Sequence, residues 1–409
     1  MKIKIITVVG ARPNFMKVAP ILRAIREHNA RGLRPAIDHV LLHTGQHYDP
    51  IMSDRFFEDL ELPQPDIHLG VGAGGNSNQT AEILQLFEGV LLREWPDLVM
   101  VVGDVNSTIA CALATAKVAV GQGKIRPLIA HVESGLRSFD REMPEEINRI
   151  VTDHLADLLF VTEKSGLVNL RREGIPAAKV FFTGNTMIDS LYAFKDRADQ
   201  STILDQLSLG NGAVAKTKTG ITPFALLTLH RPSNVDGQSA FRNILEGISD
   251  LSRKMPVIFP VHPRTRKRIE EFGLDHFFAT NTRAGGIRLI EPLGYLDFLC
   301  LMKNAALVLT DSGGVQEETT CLEVPCVTIR ENTERPATVK NGTNLIAGTS
   351  VSGIRKTIAR QLRRSRKGRA PEKWDGRAAA RIIQVLAKRI PSRIGKAGAS
   401  GKGKSVRKQ

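Results

Sequence analysis

The sequence predicts an α/β protein made of two doubly wound, Rossmann-like domains. Three observations carry this. Short runs of Val, Ile and Leu alternate with amphipathic stretches along most of the chain, the pattern of parallel strands buried on both faces. The alternation breaks once, at the polar segment DQLSLGNGAVAKTKTG (205–220), and then resumes. Acids and glycines recur just past the apolar runs, where open α/β sheets bind ligands. A chain of 409 residues is long enough for two such cores.

The elements follow in order. IKIITVV (3–9), DHVLLHT (38–44), DLVMVVG (97–103), PLIAHV (127–132) and LLFVT (158–162) read as strands of the first domain. Between them FMKVAPILRAIREH, SNQTAEILQLFEGVLLREW, TIACALATAKVAV and PEEINRIVTDHLA repeat apolar residues at helical spacing. The second domain reads as FALLTLH (224–230), PVIFPVH (256–262), GIRLIEP (286–292), AALVLTD (305–311) and PCVTI (325–329), with helices between. The expected domains are residues 1–190 and 191–370, with the ligand cleft between them. GRAAARIIQVLAKRI (376–390) predicts a helix, so residues 371–390 should pack back on the body. Residues 391–409 end in KAGASGKGKSVRKQ, whose Gly, Ser and Lys content predicts a disordered basic tail.

Composition narrows the classes. No apolar run reaches the roughly 18 residues needed to span a bilayer. The run in MKIKIITVVG is too short for a secretory signal and is followed by Ala-Arg-Pro-Asn, so it reads as a first strand. Four cysteines form no CxxC pair, which fits a reduced cytoplasmic protein without structural zinc. The net charge of +15 suggests nucleic acid until it is located. Residues 355–409 hold 19 of the 57 basic residues and two of the 42 acids, leaving 38 basic and 40 acidic in residues 1–354. The folded body is near neutral, and no nucleic-acid partner is expected for it.

Several motifs sit where chemistry is possible. GARPNFMK (10–17) opens a helix after the first strand, so Arg12 and Lys17 could face an anion held by free N–H groups. An ordinary strand–helix turn with solvated charges accounts for it equally well. GVGAGG (70–75) has dinucleotide-loop spacing but follows PDIH rather than a buried strand, and no ribose-binding acid is placed after it. TDSGGVQEE (310–318) is a stronger signal. Ser312, Gly313 and Gly314 open a helix whose unpaired N–H groups suit a diphosphate, and Glu318 lies one turn further on for a ribose diol. His230 and His262 each end a predicted strand. A strand-end histidine is more often structural than catalytic, and His262 in VHPRTRKR suits either phosphate contact or solvent.

The densest cluster is HVESGLRSFDREMPEEINR (131–149), with Asp104 upstream in VVGDVNST. Asp104 and Glu133 each follow a buried strand. Glu145 and Arg149 are i, i+4 and should share a helix face, so that they pair or jointly meet a ligand; Glu146, about a quarter turn away, could be solvated. Carboxylates so gathered can move protons to and from carbon or oxygen.

Taken together, GARPNFMKVAP, TGQHYD, VVGDVNST, HVESGLRS, MPEEINR, TGNTMID, TLHRPSNVD, PVHPRTR, PLGYLDF, TDSGGVQEE and ENTERPATV resemble the non-hydrolysing UDP-N-acetylglucosamine 2-epimerases. The resemblance runs in order from residue 1 to about 365. It implies two domains of glycosyltransferase-B type, a UDP-sugar substrate, no membrane insertion and, as the family expectation, a homodimer. It further implies that Asp104, Glu133, Glu145 and His230 are catalytic. Arg12, Lys17 and Arg149 would face diphosphate and sugar; Ser312, Gly313, Gly314 and Glu318 would hold diphosphate and ribose; Phe298 would line the uracil pocket. The chain departs from the family at Pro232-Ser233, where many members carry Arg-Glu, and in the Gly-rich 70–76 loop. Both regions serve a second, activating UDP-sugar site in bacterial members.

The reaction so implied is reversible inversion at carbon 2 of UDP-N-acetylglucosamine. That hydrogen is not acidic, so the workable route expels UDP while a base takes the proton, then re-adds it from the other face. The diphosphate would leave toward Arg12, Lys17, His262 and the helix start at 312–314, with the cleft closed around bound UDP. No metal or other cofactor is called for. The alternatives are a related UDP-2,3-diacetamido sugar, a hydrolysing epimerase that releases UDP and N-acetylmannosamine, a glycosyltransferase, or a basic-tailed nucleic-acid-binding protein.

Overall fold

In the computed structural model, the described residues form thirteen parallel strands in two sheets, and the ten apolar runs supply all but the short ones at the edges. The structure describes residues 2–46, 57–72, 74–121, 123–210, 220–279, 285–364 and 368–400, without the side chains of Arg12 and residues 391–400. The chain divides into two compact units, Met1–Ser190 with Lys373–Gln409, and Leu191–Glu372.

The first sheet contains β1 (Lys2–Val9), β2 (Ala36–His43), β3 (Ile67–His68), β4 (Leu98–Val102), β5 (Leu128–Ser134), β6 (Leu158–Val161) and β7 (Val180–Phe182). Their order is β3-β2-β1-β4-β5-β6-β7. Chain order reverses between β1 and β4, so the turns that leave these strands diverge and open a crevice at their carboxyl ends. Alternating positions select the faces. Ile6, Val8, Val99, Val101, Ile129 and Leu159 pack with Ile83, Phe87 and Val90 of the helix Asn76–Glu94. On a further side, the helix Ala378–Ser400 packs against the helix Arg12–Ala30. Trp374 is buried and donates its indole N–H to the Thr162 carbonyl at 2.9 Å, while Asp189 accepts the N–H groups of Ala378 and Ala379 at 3.0 and 2.7 Å.

The second sheet holds β8 (Ala225–Thr228), β9 (Pro256–Pro260), β10 (Gly286–Ile290), β11 (Leu307–Thr310), β12 (Cys326–Thr328) and β13 (Asn344–Ile346), in the order β10-β9-β8-β11-β12-β13. The reversal falls between β8 and β11. Leu227, Leu229, Phe259 and Leu309 bury against Phe241, Ile244 and Ile248 of the helix Gln238–Ser252 and Ile354 of the helix Val351–Leu362.

The apolar runs end where these strands end, within a few residues. The short edge strands β3, β7 and β13 were not expected: each has two or three residues, too few to show a period. The polar break at 205–220 falls largely outside the described residues. The helix beginning at Ala378 continues through Ser400, ten residues into the stretch expected as a disordered tail, where Ala397 and Ala399 favour helix; residues 401–409 lie outside those described.

Candidate active site

Each crevice gathers the chemically useful side chains of its unit. In the first unit, β1 ends at Val9 and Gly10-Ala11 turns into the helix Arg12–Ala30. Asn14 pins this turn: its carboxamide oxygen accepts the N–H groups of Gly10 and Ala11 at 3.1 and 3.0 Å, and its nitrogen donates to Val102 O at 2.9 Å. One turn on, Lys17 points to the ends of β4 and β5. Its ammonium lies 2.5 Å from Glu133 Oε2, and both side chains are no more than 5% exposed.

Register explains why two acids meet there. Val102 of β4 pairs with Val132 of β5, so Asp104 and Glu133 leave neighbouring strands side by side. Gly103 bends between them at φ +70°, and a Cβ there would stand 3.1 Å from Lys17 Nζ. Glu133 itself adopts φ +75°, at a register shift in β5 between Val132 and Ser134. A non-glycine residue in that region stores strain at the position that carries the carboxylate.

Arg149 supplies the second cation. It is 2% exposed at the side chain and donates Nε to Asp104 Oδ2 at 3.1 Å and Nη1 to Glu146 Oε2 at 2.6 Å. Its Nη2 is buried without a hydrogen-bond partner. Asn148 holds the Asp104 carbonyl at 2.8 Å. Here the helical reading is corrected. Glu146, not Glu145, pairs with Arg149, because its carboxylate also accepts the N–H groups of Ser138 and Phe139 at 2.9 to 3.1 Å. Those donors draw Glu146 inward and leave Glu145 exposed in the first turn of the helix Pro144–Leu155. The side chain of Arg12 lies outside the described residues.

In the second unit, Thr228 pairs with Thr310, so His230 and Asp311 emerge from adjacent strands. His230 Nδ1 is 2.9 Å from Asp311 Oδ1, and the N–H groups of His230 and Arg231 and the amide of Asn234 also reach that carboxylate. Lost hydration pulls the imidazole pKa down, but the charge and hydrogen bond of Asp311 outweigh it, leaving His230 above its ordinary value. Burial likewise opposes ionisation of Asp311, and His230 with the two backbone donors holds that carboxyl low. The imidazole remains 58% exposed.

Asp311 leads into Ser312, the N-cap of the helix Gly313–Cys321, whose side chain makes no capping bond. A loop closes over Gly313: a Cβ there would lie 3.0 Å from Glu334 Oε1. Glu334 is held by Arg330 at 2.7 Å and Arg231 at 3.2 Å, and Arg335 pairs with Glu317 at 2.6 Å. Glu318 is buried and accepts from the Tyr295 hydroxyl at 3.0 Å. Burial, reinforced by Glu317, pushes its carboxyl up to about 8. Phe298 is half-buried on the helix Tyr295–Asn304. His262 is exposed as the N-cap of the helix Pro263–Glu271, its Nδ1 accepting from the Arg264 N–H at 3.3 Å.

Thus Lys17, Asp104, Glu133 and Arg149 come together in one unit, and His230, Ser312, Gly313 and Gly314 around Asp311 in the other. Sequence reasoning missed Asp311 as the partner of His230, Glu146 as the partner of Arg149, and the Arg330–Glu334 pair. Asp311 was visible as an acid closing an apolar run; its neighbour across the sheet was not. Among the described residues, no group of three or more His, Cys, Asp or Glu could hold a metal ion.

The chain is similar along most of its length to known proteins. The family model described as UDP-N-acetylglucosamine 2-epimerase matches residues 30–387. A UDP-N-acetylglucosamine 2-epimerase of Methanocaldococcus jannaschii is 42% identical over 94% of this chain and 99% of its own. A UDP-2,3-diacetamido-2,3-dideoxy-D-glucuronate 2-epimerase of Pseudomonas aeruginosa is 38% identical over 94% of this chain and 99% of its own. Among solved structures, the Methanocaldococcus jannaschii UDP-GlcNAc 2-epimerase in complex with UDP-GlcNAc and UDP superposes with a TM-score of 0.82 at 41% identity, covering 94% of this chain and 99% of that one.

Proposed function

The chain belongs to the UDP-N-acetylglucosamine 2-epimerase family, and on that premise we propose that it interconverts UDP-N-acetylglucosamine and UDP-N-acetylmannosamine by eliminating and re-adding UDP. The observation that carries this is the pairing of two acid-bearing strand ends, Asp104 and Glu133, each beside its own buried cation, Arg149 and Lys17.

The chemistry needs a proton removed from carbon 2 and one returned on the opposite face, with the bond from carbon 1 to the diphosphate breaking and reforming. Asp104 and Glu133 are assigned the proton transfers. Glu145, exposed at its helix start, and His230, poised on Asp311, complete the catalytic set. Lys17, Arg149 and Arg12 receive sugar and diphosphate charge. The helix start at Ser312, Gly313 and Gly314 offers N–H groups to the diphosphate. Glu318 takes the ribose, Phe298 the uracil and His262 a phosphate oxygen.

The reading includes a homodimer in the cytoplasm. Leu86, Leu92 and Trp95, on or just after the helix Asn76–Glu94, are 41, 53 and 54% exposed, an apolar surface suited to a second copy. Cys111, Cys300, Cys321 and Cys326 are free thiols, as a reducing compartment favours. Light scattering tests the dimer.

Proton NMR with UDP-N-acetylglucosamine in heavy water tests the reaction. Deuterium should enter carbon 2 while UDP-N-acetylmannosamine grows to a plateau. Stoichiometric release of UDP and N-acetylmannosamine would overturn the non-hydrolytic route. Turnover of a UDP-2,3-diacetamido sugar alone would overturn the substrate.

A further inference from the structure

A chain of four charged or ionisable side chains, three of them buried, runs behind the two acids. His131 of β5 is fully buried. Its Nε2 lies 2.8 Å from Gly103 O, the carbonyl that immediately precedes Asp104, and its Nδ1 lies 2.7 Å from Asp153 Oδ1. Asp153, equally buried on the helix Pro144–Leu155, uses its other oxygen to accept from the N–H of Gly135 at 3.0 Å and from Arg137 at 2.7 Å. Arg137 in turn grips Glu173 through Nε and Nη2 at 2.7 and 2.6 Å.

The connectivity is specific. A carbonyl can only accept, so His131 Nε2 carries the hydrogen that faces Gly103. Another hydrogen lies between Nδ1 and Asp153. One carboxylate is therefore linked to the residue before Asp104 and to the residue two beyond Glu133. Both turns need such restraint. Gly103 and Gly135 have φ of +70° and +81°, and Glu133 between them is itself left-handed at +75°. Neither a buried ion nor a buried polar group is retained cheaply in a core. Burial acts to raise the Asp153 carboxyl, yet His131 and then Arg137 keep it below the usual carboxylate range, which preserves it as an acceptor for both turns.

We propose that Asp153 and His131 are positioning residues for the epimerisation, a couple that fixes the spacing of Asp104 and Glu133 by holding Gly103 and Gly135 from a single buried carboxylate. The proposal rests on the assignment of proton transfer to Asp104 and Glu133. Proton transfer depends steeply on donor–acceptor geometry, and a displacement near 1 Å can cost about 100-fold in rate. The couple does not touch the substrate. Its loss therefore acts on turnover and leaves nucleotide affinity in place.

The test compares Asp153→Asn, His131→Gln and His131→Phe with the native chain. The carboxamide of Gln can still donate toward Gly103 O, whereas Phe cannot. With UDP-N-acetylglucosamine as substrate, kcat should fall in the order native, His131→Gln, His131→Phe. KM and the Kd for UDP should change little. The deuterium isotope effect for substrate labelled at carbon 2 should rise in Asp153→Asn as proton transfer becomes slower. Amide hydrogen exchange in the segments 103–105 and 133–135 should quicken in all three variants, and this readout holds even if the native chain turns over a different sugar. Unchanged exchange there, or kcat and UDP affinity falling together in proportion to thermal stability, would overturn the proposal. An inactive native chain with quickened exchange in the variants would fault the assigned reaction and leave the couple standing.

Discussion

Lys17 Nζ and Glu133 Oε2 lie 2.5 Å apart with almost no access to water. Removing one partner of such a buried pair leaves a charge that the protein cannot hydrate. Lys17→Met should lower stability by about 3–5 kcal/mol and suppress turnover. Denaturant unfolding together with the NMR assay measures both, and a variant as stable as the native chain would show that the pair contributes no net stability.

Glu145 and Glu146 are adjacent in sequence and opposite in environment. Glu146→Gln weakens an acceptor for two backbone N–H groups and Arg149, so it should destabilise the fold by about 1–3 kcal/mol. Glu145→Gln should change stability by no more than about 0.5 kcal/mol yet reduce kcat. Equal thermal shifts in the two variants would contradict this division.

The His230–Asp311 pair sets a pH window. His230 is held above its ordinary 6.5, so its contribution is complete below that value and fades as pH rises through the raised one. Asp311 is held below 3.8, so its contribution is complete above that value and fades as pH falls through the lowered one. The exposure of the imidazole keeps the effect modest. Unfolding midpoints of His230→Gln, measured on both sides of neutrality, should lose part of the alkaline decline seen in the native chain.

Glu318 gives a second alkaline effect with a different window. Its carboxyl stays protonated up to about 8 in the fold, whereas an exposed glutamate ionises near 4.5. The native state therefore binds more protons between those values, and stability falls as pH rises through that interval. Glu318→Gln mimics the protonated form, so it should flatten this slope and retain UDP binding near pH 7. Glu318→Ala should lose UDP binding. Calorimetric titration with UDP separates the two.

Asp104 and Glu133 were legible because each closes an apolar run, and a parallel sheet buried on both faces leaves its polar residues at strand ends. The phase of Glu145 and Glu146 was not legible. Both i+3 and i+4 neighbours share a helix face with Arg149, and the choice was made by the backbone donors of Ser138 and Phe139, which come from a preceding loop. His230 could be read as a strand-end imidazole, but Asp311 is 81 residues away in the chain and becomes its neighbour through strand order alone. His131 looked like one more residue of a buried strand. Nothing in its local pattern pointed to Asp153, which lies 16 to 22 residues further along the chain from its partners His131, Gly135 and Arg137.

The closing segment gives the chain a particular order of assembly. Asp189 receives the N–H groups of Ala378 and Ala379, and Trp374 caps Thr162, so the first unit is completed by residues made after the whole second unit. On the ribosome, residues 191–372 emerge as a closed set and can finish folding, while the earlier half waits with the Trp374 site uncovered. A stalled or truncated product lacking residues 373 onward would thus expose its defect in the half synthesised first, and a protease would find it there.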